Sequence, residues 1–274
     1  MRILGIESSS LVASVAVVTD DVLTAEYTVN FKKTHSQTLL PMIDEVARML
    51  ELDLQTIDAI AVSGGPGSFT GLRIGSATAK GLGLALEKPL IHVPTMDAMA
   101  CNLFGASAVI CPIMDARRNQ VYTGLYEYQK DFRVVKPQCA MDIRELLTEL
   151  NETGRSVIFL GDGVPVYKPV IEELMMVEYS FAPAQSSRQR ASSVAALGAV
   201  YFAEGKVESA MDHAPDYLRK AQAERELEEA KRQGKMSELA AGHSVGTGDA
   251  AVDPAGTAAS ADAIAGHAPK ETCR

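Results

Sequence analysis

The sequence predicts an α/β protein built from two related lobes. Short apolar strands alternate with amphipathic helices as far as Glu204, and the order strand-strand-strand-helix-strand-helix occurs twice. Both first strands also end in an acid and a turn, Ile6-Glu7-Ser8-Ser9 and Met114-Asp115-Ala116-Arg117. An internal duplication accounts for both observations.

The first lobe, residues 1–106, opens on a buried strand at Ile3–Ile6. Apolar runs at Val12–Val18 and Val22–Val29 give two more strands, parted by the Asp20-Asp21 turn. A helix over Thr34–Leu50 follows from Leu39, Leu40, Ile43, Val46, Ala47 and Leu50 at helical spacing, with Pro41 expected to bend it. A strand at Ile57–Val62, a glycine-rich loop, a helix at Thr70–Leu86 and a strand at Leu90–Val93 complete the set.

The second lobe, residues 107–221, repeats the order. Strands are expected at Val109–Met114, Asn119–Tyr128 and Phe132–Val135, a helix at Asp142–Leu150 behind an acidic cap, and a strand at Val157–Leu160. The closing helix is Ser192–Glu204, ended by Gly205 and able to pack back on the first lobe. Residues 222–274 differ. Gln222–Gln233 reads as a charged helix. From Ser237 onward the chain is rich in Ala and Gly, with few large aliphatics, and disorder is expected.

Composition excludes several functions. The 274 residues carry 26 Lys+Arg against 35 Asp+Glu, a net charge of −9. That argues against a free-standing nucleic-acid or anionic-membrane binder. The chain has no Trp, so a base-stacking platform is also disfavoured. No apolar run is long enough for a membrane span, and Glu7 breaks the N-terminal run that a signal peptide would need. The four cysteines form no CxxC pair and the five histidines are scattered, so no metal site is expected. A reducing cytoplasm is the expected setting.

The most informative stretch is Ser63-Gly64-Gly65-Pro66-Gly67-Ser68-Phe69-Thr70-Gly71-Leu72-Arg73-Ile74-Gly75, which follows a strand and opens a helix. Backbone amides at such a place can cradle an anion, and Gly65, Gly67, Ser68 and Thr70 are the candidate positions. No P-loop lysine, Rossmann acid or nucleophile elbow accompanies them. Within the helix, Gly71, Gly75, Ala79 and Gly83 recur every four residues. Helical glycines each cost about 1 kcal/mol relative to Ala, so the stripe predicts close approach of another backbone. Glu7, Ser8, Ser9, Asp115 and Arg117 occupy the loops that would hold metal and phosphate in a two-lobed ATPase. Neither loop has the glycine that lets backbone reach a phosphate, so they read as degenerate.

These segments resemble the TsaB (YeaZ) family of tRNA threonylcarbamoyladenosine synthesis. The resemblance rests on Met1-Arg2-Ile3-Leu4-Gly5-Ile6-Glu7-Ser8-Ser9, His35-Ser36-x-x-Leu39-Leu40-Pro41-Met42-Ile43, the glycine stretch, Asp115-Ala116-Arg117-x-x-x-Val121-Tyr122 and Pro215-Asp216-Tyr217-Leu218-Arg219. It covers residues 1 to about 225. It implies the actin/sugar-kinase/Hsp70-like (ASKHA, ribonuclease H-like) fold. It also implies a non-catalytic role without the metal-binding histidines of the paralogue TsaD. The family member pairs with TsaD, works with the ATPase TsaE on adenosine 37 of tRNA, and forms a homodimer when alone. It meets tRNA only through the complex, has no cofactor of its own, and leaves ATP or ADP to the assembled complex. The family pattern has Asp where this chain has Glu7. The implied partner interface lies on the first-lobe helices: His35, Leu39, Met42, Ile43 and Val46 on one, Gly71, Ile74, Gly75, Thr78, Ala79 and Leu82 on the other. The alternative is a small-molecule kinase or glycoprotease-like peptidase of the same fold.

Overall fold

A computed structural model describes residues 1–31 and 34–218. The expected helix at Gln222–Gln233, the expected disorder beyond Ser237, and Arg219 of the last motif lie outside the described residues. Met1–Ala221 forms one compact unit.

The first lobe runs β1 (Arg2–Glu7), β2 (Ala13–Thr19), β3 (Val22–Val29), α1 (His35–Met49), β4 (Ala59–Gly65), α2 (Phe69–Leu86) and β5 (Leu90–Pro94). After a short helix α3 (Thr95–Ala100), the second runs β6 (Ala106–Asp115), β7 (Gln120–Tyr128), β8 (Phe132–Asp142), α4 (Ile143–Thr153), β9 (Val157–Leu160), α5 (Val164–Leu174) and β10 (Tyr179–Phe181). Helix α6 (Ala191–Ala203) follows. The sheets have orders β3-β2-β1-β4-β5 and β10-β9-β6-β7-β8. In each, the first three strands are antiparallel and the last two parallel. The two orders are one topology used twice, the ribonuclease H-like lobe of the ASKHA fold.

The duplication therefore holds over seven elements, with one correction. The counterpart of α2 is α5, not the helix at Ser192–Glu204. Pro165 and Pro169 obscure the helical pattern of α5, although Pro165 stands at its tolerated first turn. β8 is also longer than the expected Phe132–Val135, and α1 runs through Pro41 without ending.

Strand period 2 divides the first sheet's side chains. Leu4, Ile6, Val15, Val17, Ile60 and Val62 face a core closed by Leu39, Met42, Ile43 and Val46 of α1 and Ala79 of α2. Ile3, Ala59, Ala61, Ile91 and Val93 face the other way, onto Val194, Ala195, Leu197 and Ala199 of α6. Small residues let α6 approach closely. A Cβ on Gly5 would lie 2.5 Å from the Ala191 carbonyl oxygen, and one on Gly198 would lie 2.5 Å from Ala61 Cβ. Glu26 of β3 fixes the start of α6, accepting from the Arg190 guanidinium and from the Ser192 amide and hydroxyl.

The second sheet packs Val109, Cys111, Val121 and Phe159 against Leu146, Leu147 and Leu150 of α4 and Tyr167 and Ile171 of α5. Its other face receives Met96, Met99 and Ala100 of α3. The helix that follows the first lobe thus covers the second sheet, and the helix that follows the second lobe covers the first. Asp97 of α3 accepts from Tyr126 of β7 at 2.7 Å, with Tyr201 of α6 at 3.4 Å. This exchange ties the lobes together.

Candidate functional site

The loops after β1, β4, β6 and β9 form the candidate site. The β1 and β4 loops interlock. The Ser9 carbonyl accepts from the Ser68 amide at 2.6 Å, and the Ser8 hydroxyl donates to the Gly71 carbonyl at 2.9 Å. Glycine is what allows this approach. A Cβ on Gly67 would lie 2.3 Å from the Ser9 carbonyl oxygen. One on Gly71 would lie 2.1 Å from the Ser8 carbonyl oxygen, and one on Gly75 would lie 2.2 Å from Ser8 Oγ. Ser68 caps α2, its hydroxyl accepting from the Gly71 amide at 3.3 Å. Gly65 has φ +114, and its α-carbon passes against the Asp216 carbonyl. Thr70 is exposed.

The first part of the α2 stripe, Gly71 and Gly75, is therefore used inside the lobe against Ser8 of the β1 loop, while Ala79 joins the core with α1. That changes which expected interface residues can meet a partner. Leu39, Met42, Ile43 and Val46 on α1, and Gly71, Gly75 and Ala79 on α2, are buried in their own lobe. His35, Ile74, Thr78 and Leu82 are half-buried, and His35 Nε2 lies 3.0 Å from the Val12 carbonyl. The solvent face of α2 presents Thr70, Arg73, Ala77, Gly81 and Leu84 instead, and that of α1 presents Leu40, Asp44 and Arg48. Nothing lies within 4 Å of where a Gly81 Cβ would stand.

Glu7 folds back into its own loop. Its Oε1 accepts from both the amide and the hydroxyl of Ser9, each at 2.6 Å. The Ser8 amide is directed at Ser63 Oγ, 3.4 Å away. Three donors of the β1 loop, the Ser8 amide and the Ser9 amide and hydroxyl, are thus engaged within the lobe. Burial pushes the Glu7 carboxyl up to about 7, against the hydrogen bonds from Ser9 that favour its charged form. Its Oε2 is buried without a partner.

The second-lobe loops are arranged differently. Asp115 Oδ1 accepts from the Arg117 amide at 2.8 Å and from the Tyr167 hydroxyl at 2.8 Å. Arg117, Arg118 and Asn119 all have positive φ, making a tight left-handed turn between β6 and β7. Asp115 and Arg117 are exposed, whereas Glu7, Ser8 and Ser9 are buried.

A carboxylate absent from the sequence reading belongs to this region. Asp162 lies in Gly161-Asp162-Gly163 after β9, the counterpart of the glycine loop after β4. Gly161 has φ +108, and a Cβ there would meet the Ile113 carbonyl oxygen at 2.1 Å. Burial raises the Asp162 carboxyl above its ordinary range, with Arg188 opposing, and its charge disfavours that of Glu7. The signal that could have found it was the second glycine pair after the matching strand. Gln138 of β8 links the lobes here, donating to the Gly65 carbonyl at 3.1 Å.

Topology and loops together define a two-lobed ASKHA-class protein whose first loop is closed by hydrogen bonds from Ser9 to its own Glu7. A family model described as TsaD, tRNA N6-adenosine threonylcarbamoyltransferase, matches residues 26–227. The chain is 35% identical over 226 residues to the tRNA threonylcarbamoyladenosine biosynthesis protein TsaB of Bacillus subtilis, covering 82% of this chain and 96% of the relative. It is 33% identical over 233 residues to TsaB of Escherichia coli, covering 80% and 95%. A crystal structure of a Pseudomonas aeruginosa protein, described as uncharacterized with similarity to peptidase YEAZ, superposes with a TM-score of 0.69 at 25% identity, over 80% of this chain and 99% of that one. The chain belongs to the TsaB/YeaZ family. Among the described residues, no helix is long and apolar enough to cross a membrane.

Proposed function

We propose that this chain is a non-catalytic assembly partner of a TsaD-type protein in tRNA threonylcarbamoyladenosine synthesis. Family membership supports this reading. The observation that carries it is the Glu7–Ser9 closure, which occupies the first-lobe loop where a kinase of this fold would grip phosphate. The partner docks on the solvent face of α1 and α2, which exposes Leu40, Ala77, Gly81 and Leu84. Alone, two copies pair through the same face. TsaE joins the heterodimer, any ATP or ADP belongs to the assembled complex, and tRNA is met through the partner. The expected setting is the cytoplasm.

Size-exclusion chromatography of the purified chain with and without a TsaD-type protein tests this reading. A shift to a one-to-one heterodimer is expected. Separate elution, or robust ATP hydrolysis by the isolated chain that Glu7→Ala abolishes, would overturn it in favour of an enzyme.

A further inference from the structure

Residues 207–217 leave α6 and return along the first lobe. Leu90 and Glu208 exchange both backbone hydrogen bonds at 2.9 Å, and the Asp216 amide donates to the Gly64 carbonyl at 2.6 Å. Lys80 donates to the Met211 and His213 carbonyls, each at 3.0 Å. This strap places His213 beside His92 of β5, with ring centroids 5.8 Å apart. The two histidines are far apart in sequence because one stands on a strand and the other on a strap that returns to it.

We propose that His92, Glu208 and His213 form a binding site for a divalent transition ion, zinc being the first candidate. One ligand atom from each of the three lies within 4.8 Å of the others. Small movements bring them to the roughly 2.0–2.2 Å that zinc takes from imidazole and carboxylate. Glu208 Oε1 lies 2.5 Å from His213 Nδ1 and the His213 side chain is buried, so an ion held there would replace the proton the two atoms share. Two imidazoles and a carboxylate suit zinc and its neighbours rather than calcium or magnesium. The site is held in place on both sides. A Cβ on Gly64 would lie 2.1 Å from the His92 ring, so glycine admits that ring, and Asp216 Oδ2 stands 3.4 Å from His92 Nε2 at the rim. The Lys80 ammonium is directed at two carbonyls of the strap. A bound ion joins the strap to β5 and the glycine loop, clamping the end of the chain's compact unit.

The full-length protein, stripped with chelator and titrated with Co2+ and then Zn2+ at neutral pH, tests the site. One equivalent of Co2+ should give visible d–d absorption that Zn2+ displaces, and Zn2+ should raise the thermal midpoint. His92→Gln and Glu208→Gln should each weaken uptake at least tenfold while melting cooperatively without metal. A variant carrying His243→Ala, His267→Ala and Cys273→Ser should bind as the parent does. Absence of stoichiometric uptake, uptake that survives His92→Gln, or uptake lost in the triple variant overturns the proposal.

Discussion

Glu7 Oε1 accepts two hydrogen bonds from one residue, the amide and the hydroxyl of Ser9, each at 2.6 Å. The acid is long enough to reach back into its own loop, and these two bonds make the turn after β1 a closed structural corner.

That burial sets a pH dependence. The folded-state pKa of Glu7 is raised to about 7 from 4.5, so the native state holds a proton that the unfolded state releases. The stability cost is absent below about pH 4.5, grows as pH rises, and is complete above about 7, on the order of 3 kcal/mol. Glu7→Gln keeps an acceptor for Ser9 and removes the charge. Thermal melts should show it gaining stability over the parent at pH 8 and little at pH 5. Equal effects at both pH values would contradict the assignment.

The glycines of α2 should divide by what stands above them. Gly71→Ala places a methyl against the Ser8 carbonyl and should cost about 1–3 kcal/mol. Gly81→Ala meets open space and should stabilise by about 1 kcal/mol through helix propensity. Urea denaturation of the two variants checks both signs.

Glu26 ties α6 to the first sheet. Burial pushes its carboxyl up, but the hydrogen bonds from Arg190 and Ser192 outweigh that and hold it below its ordinary range. Its contribution is therefore present above the unfolded pKa and lost as pH falls through the lowered one. Glu26→Ala should cost about 1–3 kcal/mol at pH 7, and less at pH 3. A melt unaffected at neutral pH would show that α6 docks without this bond.

The charge balance predicts weak tRNA binding by the chain alone. At −9 it offers no basic surplus to release phosphate counterions. Filter binding near physiological salt should show no saturation at low micromolar protein. Tight binding with a steep salt slope would contradict this.

Sequence pattern revealed most of the first sheet because its central strands are continuous apolar runs between glycine-marked turns. It did not reveal α3, which is six residues long, or α5, whose two prolines mask the period, or β10, which spans three residues. α6 was legible as a helix. It was also legible as able to pack back on the first lobe, and Val194, Ala195, Leu197 and Ala199 do pack on the first sheet. Which of its faces does so was not legible, because it is small and apolar all round. In the candidate site, Glu7, Ser8 and Ser9 were found by position at a strand end. Gly71 and Gly75 of the stripe correctly signalled a close approach, but what approaches is Ser8 of the β1 loop. A helix pattern gives the face and not the neighbour. Asp162 and the His92–His213 pair depend on tertiary return of the chain, which local spacing does not encode.

Sedimentation velocity of the parent chain and of Gly81→Arg, each mixed with a TsaD-type protein, tests the central claim most directly. Gly81 stands in open space on the solvent face of α2, so the arginine leaves the lobe folded and obstructs only what docks there. The parent should sediment as a one-to-one heterodimer and Gly81→Arg as separate chains with an undiminished thermal midpoint. A parent that stays separate from the partner, or a variant that forms the heterodimer equally well, would contradict the account.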